Sequence, residues 1–178
     1  MTLPIPVGTY GIDTSHSQLS FAVKHLGIST VRGTFDRYSG SLTVGADVGQ
    51  TSVTIDAEMA SVASGNAGRD EHLHGDHFFD VANHPTMTFR STAIAPAGDG
   101  YQLTGDLTIR GITKSVTLNA QFNGASVFPM DKSTHYGFVA TGTIMRTDFG
   151  VNYAVPMVSD DVALTIDAQF IQPATAAP

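Results

Sequence analysis

The sequence contains no cysteine, so disulfide bonds, thiolate metal ligands and cysteine nucleophiles are all excluded. Tryptophan is also absent, and only 14% of the residues are charged. No stretch approaches the roughly 20 apolar residues of a membrane-spanning helix, so we expect no integral membrane segment. The opening sequence MTLPIPVGTYGID lacks the basic start, the apolar run and the cleavage site of an export signal, which predicts a cytoplasmic location.

Positive charge is scarce as well. The chain has 9 Lys and Arg against 16 Asp and Glu, a formal net charge of −7. This disfavours a general attraction to a phosphate backbone, and we expect no nucleic-acid partner, although one buried arginine could still hold one phosphate. The length of 178 residues suits one domain, which we place at residues 1–172, followed by a frayed tail at 173–178.

What the chain has in abundance is a period-two alternation of apolar and polar residues. Within residues 52–59, for example, Val53, Ile55 and Ala57 share one face. Runs of this kind cover 17–26, 30–45, 52–59, 86–94, 101–109, 116–122, 138–144 and 162–170. Eight strands joined by short turns favour antiparallel neighbours, so the chain is all-β and is either a closed barrel or a two-sheet sandwich.

One of these runs changes its phase. Val31 and Phe35 hold the odd positions, whereas Tyr38 and Leu42 hold the even positions of the same run. A change of this kind predicts a bulge near Asp36–Arg37, which bends a strand and is frequent in barrels.

The segment RDEHLHGDHFFDVANHP, residues 69–85, is the single helical candidate. Asn66 can cap a helix, but Gly75 and the aspartate after it indicate a break and a second cap. We therefore expect two short helical turns that form a lid around residues 67–82 and end at Pro85. The apolar residues of the lid that should pack onto the sheet are Leu73, Phe78 and Phe79.

The histidines of this segment raise the possibility of a metal site. On an unbroken helix Asp70, His74 and His77 would lie within roughly 60° of one another, and such ligands suit zinc. The break at Gly75 disrupts that register, and no HExxH sequence is present, so a solvated loop is favoured. A metal-assisted hydrolase that uses residues 69–84 stays the alternative function.

A second cluster, DTSHS at residues 13–17, invites a catalytic-triad interpretation. Residues so close together in an extended segment point to opposite faces, and triads gather residues from distant segments. A local turn in which Asp13 and Ser15 bond to nearby backbone is the favoured interpretation.

Two cationic side chains fall on the apolar phase. The pattern of residues 19–23 predicts that His25 points inward, and the pattern of residues 138–144 makes Arg146 the next inward position. An inward arginine needs a partner, which is either a carboxylate at the strand end or the head of a ligand. The candidate carboxylates are Asp13, Asp70 and Asp148.

The same residues carry a resemblance to a known family. The blocks IDTSHSQLSFAVKHLGISTVRGTFDRYSGSL, GNAGRDEHLHGDHFFDVANHPTMTFRST, LTGDLTIRGITKSVTL and RTDFG occur in order between about residues 9 and 170. They resemble the successive motifs of the YceI-like, polyisoprenoid-binding family. Tyr10 departs from the pattern, since many members have tryptophan there, and many relatives also have an export signal.

The resemblance implies a lipocalin-like, extended eight-stranded antiparallel barrel that is often a homodimer. It also implies an elongated apolar interior that holds an isoprenoid or another long-chain amphiphile. No catalytic activity is established for the family as a class, so the resemblance implies a protein that is not an enzyme.

The residues on the inward phase are consistent with such an interior. An eight-stranded barrel either fills itself with side chains or leaves room for one ligand. Small residues recur on the inward phase, namely Ala57, Gly105, Ala120, Ala140, Gly142 and Ala168. Burial of about ten ligand carbons would contribute roughly 8 kcal/mol before entropic costs. The tail would therefore set the affinity, and polar groups at the mouth would set the orientation.

We therefore predict a binding or carrier protein for a polyprenyl, quinone-like or fatty-chain ligand, with no other cofactor and no metal. The predicted ligand-binding residues are Phe21, Val23, His25, Val53, Ile55, Arg69, His72, Phe79, Leu103, Leu118, Phe138, Ile144 and Arg146. Of these, His25 and Arg146 are expected near the head group, with Arg69 and His72 in the lid. A solid barrel that acts only as a dimerising or structural partner is a further alternative.

Overall fold

A computed structural model describes residues 2–172, so the tail predicted at 173–178 lies outside the described residues. The strands are β1 (Gly8–Ile12), β2 (Gln18–His25), β3 (Ser29–Phe35), β4 (Tyr38–Val44), β5 (Ser52–Glu58), β6 (Val62–Ala63), β7 (Thr86–Ala97), β8 (Gly100–Ile109), β9 (Ile112–Val127), β10 (Thr134–Met145) and β11 (Asp161–Ile171). One α-helix, α1 (Ala67–His74), and three 3₁₀ turns at Val48–Gln50, Met59–Ser61 and Arg146–Phe149 complete the described part. No helix in this part is long and apolar enough to cross a membrane.

Eight of the strands close into an antiparallel barrel. The ring runs β1–β4–β5–β7–β8–β9–β10–β11, and β11 returns to β1 through the pairs Gly11–Ile171 and Ile12–Phe170. The eight-stranded barrel expected from the family resemblance is therefore confirmed, and the two-sheet sandwich is not formed. Closure leaves the ring without a free edge, which protects long strands such as β9 from pairing with other chains.

The β2–β3 hairpin extends the barrel at one end, which we call the hairpin end. β11 pairs with β1 near its C-terminus and with β2 over Ala163–Asp167, so β2 continues the position of β1. In the same way β3 continues β4, and the chain is interrupted between them at residues 36–37. This interruption lies where the change of phase in the sequence predicts a bulge.

The opposite end of the barrel is covered by the N-terminal segment. Leu3 and Ile5 are buried, and the Tyr10 hydroxyl donates to the Pro6 carbonyl at 2.7 Å. The Tyr10 ring packs edge-on against Tyr136 with centroids 5.3 Å apart. Burial, followed by the proximity of Tyr136, raises the pKa of Tyr10. β1 lies outside the alternating runs of the sequence, because five residues that include two glycines show too little alternation to be recognised.

Large side chains fill the space above two inward-facing glycines. A methyl group on Gly105 would collide with the Phe89 ring, and one on Gly142 would collide with Leu118. Some of the small residues on the inward phase therefore accommodate a neighbouring side chain and do not leave empty space. Met59, the last residue of the alternating run 52–59, is among the most buried side chains of the described chain.

The predicted lid is present, but its second half differs from the expectation. Asn66 caps α1 by accepting from the Arg69 backbone N–H at 2.9 Å, and the helix ends at Gly75, as predicted. The second helical turn is replaced by a series of tight turns held by backbone bonds from Phe79 to Leu73 and from Val81 to His74. The aspartate after Gly75 does not cap a second helix, because the backbone N–H groups of Phe79 and Val81 donate to carbonyls of α1.

The DTSHS segment forms the local turn that the sequence favours. Asp13 accepts from the Ser15 backbone N–H at 3.0 Å and from the His16 ring at 2.7 Å. Burial alone would raise the pKa of Asp13, but these hydrogen bonds and the two nearby imidazoles of His16 and His135 hold it below its ordinary value. No serine hydroxyl of the segment bonds to His16 among the described contacts, so the cluster has the geometry of a turn.

Candidate functional site

The barrel encloses a cavity of about 470 Å³. This is within the roughly 300–1,000 Å³ typical of small-molecule sites. Its wall is formed by inward side chains of nearly every strand, and it is almost entirely aliphatic and aromatic. The solid barrel considered from the sequence is therefore not the structure that forms.

All thirteen residues predicted to bind the ligand lie on the wall of this cavity. The strands supply Phe21, Val23, Val53, Ile55, Leu103, Leu118, Phe138 and Ile144. Phe79 enters from the lid and contacts Phe35 with ring centroids 5.8 Å apart. The period-two pattern locates the wall because successive side chains of a strand point to opposite faces.

Most polar side chains of the wall lie at the hairpin end, which we call the mouth. They belong to β2, to the segment that leads into α1, to α1, to the 3₁₀ turn after β10 and to the loop before β11. These residues are His25, Ser64, Arg69, His72, Arg146 and Tyr153, and the wall away from the mouth adds Ser20 on β2 and Tyr101 on β8. The cavity thus has a long apolar body and one polar end, the polarity of a site for a chain with a head group.

Arg146 lies at the mouth but not on a strand. β10 ends at Met145, and Arg146 begins the following 3₁₀ turn with only 6% of its surface exposed. Its guanidinium donates to four backbone carbonyls at 2.8–2.9 Å. The carbonyls belong to Val151, Tyr153, Val158 and Ser159.

The carboxylate partners considered for Arg146 were Asp13, Asp70 and Asp148, and that prediction is wrong. The carbonyls of the loop at 151–159 take their place, because the loop wraps around the guanidinium. Burial lowers the pKa of Arg146, and the nearby Asp160 carboxylate opposes this shift. Four of the five guanidinium N–H groups are used in this way, so Arg146 chiefly shapes the mouth.

Arg69 projects from the first turn of α1. Its Nε donates to the Ser64 hydroxyl at 2.7 Å and its Nη2 donates to the Ser64 carbonyl at 2.9 Å. Nη1 has no protein acceptor among the described hydrogen bonds. Arg69 is exposed at the mouth and is therefore the cation best placed to meet a polar head group.

An aromatic cluster closes the mouth from the lid side. The His77 ring stacks on Tyr153, and His72 lies edge-on to both of them. His72 and His77 also share a hydrogen bond of 3.1 Å, and Phe78 packs against His72 and Tyr153. Side chains of two separate loops thus form one cover over the cavity, and His72 is part of it, as predicted for a lid residue.

His25 ends β2 and lies at the rim of the mouth. Its ring lines the cavity but is exposed to solvent, because the strand runs out beyond the ring of the barrel. A backbone bridge joins His25 to Val158 in the loop that Arg146 holds. The inward direction predicted for His25 is therefore confirmed, at the point where the interior opens.

Sequence reasoning missed two residues that position the lid. Arg110, in the turn between β8 and β9, donates to the carbonyls of Asp76 and Phe78 at 3.1 and 2.8 Å. Tyr153 supplies the ring against which the histidines pack. No pattern in the sequence could identify them, since both lie in turns whose spatial neighbours are set by barrel closure.

The histidines of the lid do not form a metal site. Within residues 2–172, no group of three or more His, Asp or Glu side chains is placed to hold a metal ion. Asp70 accepts from the backbone and side chain of Ser64, and His77 is stacked on Tyr153, so neither faces His74 as a ligand. The hydrolase alternative finds no support in this arrangement.

Comparison with known proteins agrees with this architecture. The YceI-like domain family matches residues 10–170. The chain belongs to the YceI-like family. A UPF0312 protein of Yersinia pestis (strain Pestoides F) is 35% identical over 166 residues, which cover 92% of this chain and 86% of that protein.

Two solved structures extend the comparison. BcnA of Burkholderia cenocepacia superposes with a TM-score of 0.80 at 26% identity, covering 89% of this chain and 98% of BcnA. A polyisoprenoid binding domain from Saccharophagus degradans, implicated in plant cell wall breakdown, superposes with a TM-score of 0.68. It is 16% identical and covers 92% of this chain and 98% of that domain, so this likeness shows a shared fold.

Proposed function

We propose that this YceI-like protein binds a long-chain isoprenoid or a similar amphiphilic lipid inside the barrel and carries or sequesters it without a catalytic step. The observation that carries the proposal is the apolar cavity of about 470 Å³ with its polar groups at one end. The polyisoprenoid binding domain with the same fold supports this ligand class.

The energetics favour a chain over a compact polar ligand. Each methylene that leaves water contributes about 0.8 kcal/mol, so a tail of about ten carbons contributes roughly 8 kcal/mol. This is enough for micromolar binding after the entropic costs of association are subtracted. A head group at the exposed Arg69 adds little, because pairs in contact with solvent are worth about 1 kcal/mol or less.

The orientation follows from the position of the polar residues. The tail lies along Phe21, Val53, Leu103 and Phe138, and the head group remains at the mouth near Arg69 and His72. The opposite end offers Leu3 and Tyr101, and no cation or carboxylate is on the wall there. A charged head group that entered first would be buried without an oppositely charged partner, which costs several kcal/mol.

The test is denaturing mass spectrometry of organic extracts from protein purified without detergent, together with uptake of added ligands. We expect a co-purifying polyprenyl, quinone-like or fatty-chain lipid, and tighter uptake of farnesol than of its truncated analogue isoprenol. Absence of any extracted lipid, combined with no uptake of polyprenyl or acyl probes, would refute the proposal. The cytoplasmic location and the homodimer stay predictions, to be measured by cell fractionation and analytical ultracentrifugation.

A further inference from the structure

Four aliphatic side chains are exposed around the mouth. Ile28 and Leu26, in the turn of the β2–β3 hairpin, are 85% and 55% exposed. Met157 and Val155, in the loop before β11, are 57% and 42% exposed. We call these four residues the apolar rim. Exposed apolar side chains that are grouped at a functional opening mark an interaction site more often than isolated ones do.

The two halves of the rim form one continuous surface. The Leu26 backbone N–H donates to the Met157 carbonyl at 2.7 Å. Next to it, Lys24 and Ser159 exchange two hydrogen bonds of 2.9 Å, one from each backbone N–H. The loop is itself held by the four hydrogen bonds of Arg146, so the rim is presented on an ordered support.

The rim is also continuous with the cavity. Three residues directly next to the rim in sequence line the interior, namely His25, Ala154 and Val158. Val31, on the outer part of β3, lines it as well. The edge of β3 opposite β2 pairs with β6 only at Thr34 and Phe35, so its outer part carries no further strand in the described chain. The rim therefore borders the mouth of the cavity on its outer side.

The charge of the β2–β3 hairpin differs in sign from that of the whole chain. Residues 18–35 contain Lys24 and Arg32 and no acidic residue, although the chain has a net charge of −7. Residues 153–158 carry no charge at all. Two aspartates follow this loop: Asp160 is engaged by the backbone and hydroxyl of Thr147, and Asp161 is exposed at the start of β11. Cations beside exposed aliphatic groups are the combination that binds an anionic lipid surface.

We propose that the apolar rim inserts into the surface of a bilayer that contains anionic lipid, with Lys24 and Arg32 at the level of the head groups. The mouth then faces the bilayer, and a long-chain ligand enters or leaves the cavity without exposure of its tail to water. This inference rests on the proposed function, because a bilayer is the source in which such a ligand dissolves.

A second copy of the chain is the competing occupant of the rim. Rim-to-rim pairing would bring Lys24 and Arg32 of both copies together without a carboxylate on either hairpin. A standard interface buries about 800 Å² on each partner, which is more than four aliphatic side chains can supply. A bilayer needs neither shape complementarity nor a large area, so it fits the rim better.

Vesicle flotation tests the proposal. The probes are vesicles of phosphatidylcholine alone and vesicles of phosphatidylcholine mixed with phosphatidylglycerol, and the protein is the full chain. We expect binding to the mixed vesicles that weakens with added salt. Ile28→Asp combined with Met157→Asp should weaken it roughly tenfold or more, because two aliphatic side chains lose their burial.

Met130→Asp is the matched control. Met130 is also 85% exposed, but it lies in the turn between β9 and β10 at the opposite end of the barrel. We expect wild-type flotation for this variant. Equal flotation of both variants would overturn the inference, as would a wild-type protein that binds neither type of vesicle. Conversion of a wild-type dimer to a monomer by the rim variant, without vesicle binding, would assign the rim to a second copy.

Uptake of a soluble dansyl-labelled fatty acid, measured without vesicles, separates this inference from the proposed function. The rim variant should take up the probe as the wild type does, since its changed residues point away from the cavity. Uptake without flotation would refute membrane docking and leave the proposed function standing. Failure of the wild type to take up polyprenyl or acyl probes would refute the proposed function itself.

Discussion

The imidazole ring of His77 lies flat on the phenol ring of Tyr153, with centroids 4.3 Å apart and an angle of 6° between the planes. One ring belongs to the lid after α1 and the other to the loop before β11. No strand pairing joins these two segments, so the contact of side chains closes the mouth over the cavity. The rate at which a ligand leaves should therefore depend on this contact.

Replacement of Tyr153 by alanine removes the surface against which His72 and His77 pack. An aromatic pair contributes about 0.5–1.5 kcal/mol, so we expect ligand release to accelerate roughly two- to tenfold. The free energy of unfolding should change little, because Tyr153 is 43% exposed. Stopped-flow displacement of a fluorescent fatty acid measures the release rate.

Phe128→Ala is the control for this change. Phe128 is 40% exposed and packs against His135 at the other end of the barrel. Its removal deletes a comparable aromatic contact away from the mouth, so release should keep the wild-type rate. Equal acceleration by both variants would show that the lid does not control release.

Ala140→Phe tests whether the ligand occupies the cavity. Ala140 is buried on β10, lines the cavity and faces Ala120 across the sheet, so a phenyl ring can enter the open space. Displacement of two or three ligand methylenes would cost about 2 kcal/mol, and affinity for a long chain should fall roughly thirtyfold. Titration calorimetry with ligands of increasing chain length measures the effect.

Ala163→Phe is the matched variant on the neighbouring strand. Ala163 is exposed on the outer face of β11, so the same added ring remains in solvent. We expect an unchanged affinity for every chain length. If the two variants bind equally, the ligand lies outside the cavity.

Arg146→Gln tests the role of the buried guanidinium as a support for the mouth. The glutamine amide cannot reach four carbonyls, and the hydrogen bonds of a charged donor contribute about 1.5–3 kcal/mol. We expect the free energy of unfolding to fall by about 3 kcal/mol in urea denaturation. Arg37→Gln should cost less than about 1 kcal/mol, because the Arg37–Glu58 pair is exposed on both sides.

Much of the cavity wall could be predicted from the sequence, because the alternation of apolar and polar residues within a strand indicates which side chains share a face. Phe21 and Val23 on β2, or Leu103 on β8, need only their own strand to be assigned. The cap at Asn66 and the break at Gly75 are also local, since both depend on backbone geometry within a few residues.

The construction of the mouth could not be predicted in the same way. Arg146 was expected to meet a carboxylate or the head group of a ligand. It holds a loop through backbone carbonyls instead, and no sequence pattern marks these because every residue has one. Arg110 and Tyr153 reach the lid from turns that are distant in sequence from it. Such contacts depend on how the barrel closes, which periodicity does not encode.

Asp160 accepts hydrogen bonds from Thr147, which lies in the 3₁₀ turn that precedes the loop at 151–159. The stabilisation that these bonds provide should depend on pH. The Thr147 backbone N–H, together with the Thr147 hydroxyl and the Arg146 guanidinium, lowers the pKa of Asp160 below the ordinary 3.8, although burial opposes this. Because the pKa is lower in the folded state, the stabilisation is complete above pH 3.8 and is lost as the pH falls through the folded value.

Asp160→Asn should therefore lower the free energy of unfolding by about 1 kcal/mol at neutral pH. The difference from the wild type should shrink as the pH falls below 3.8, which urea denaturation across that range measures. Asp99→Asn, in the turn between β7 and β8, is the control and should follow the wild type at every pH. A constant difference for Asp160→Asn would mean that its ionisation is not involved.

Arg69→Gln tests which residue meets the head group. The free Nη1 of Arg69 can donate to a carboxylate at the mouth, whereas an alcohol gains less from a cation. We expect the wild type to prefer a fatty acid over the fatty alcohol of equal length by roughly two- to fivefold, since Arg69 is exposed. The variant should lose this preference.

The gain in affinity per added methylene should be unchanged in Arg69→Gln, because the tail contacts the barrel wall and not α1. Titrations of both ligand series against both proteins therefore separate the head from the tail. A preference that persists in the variant would assign the head group to His25 or His72. A changed dependence on chain length would instead place the tail against the lid, with the ligand reversed in the barrel.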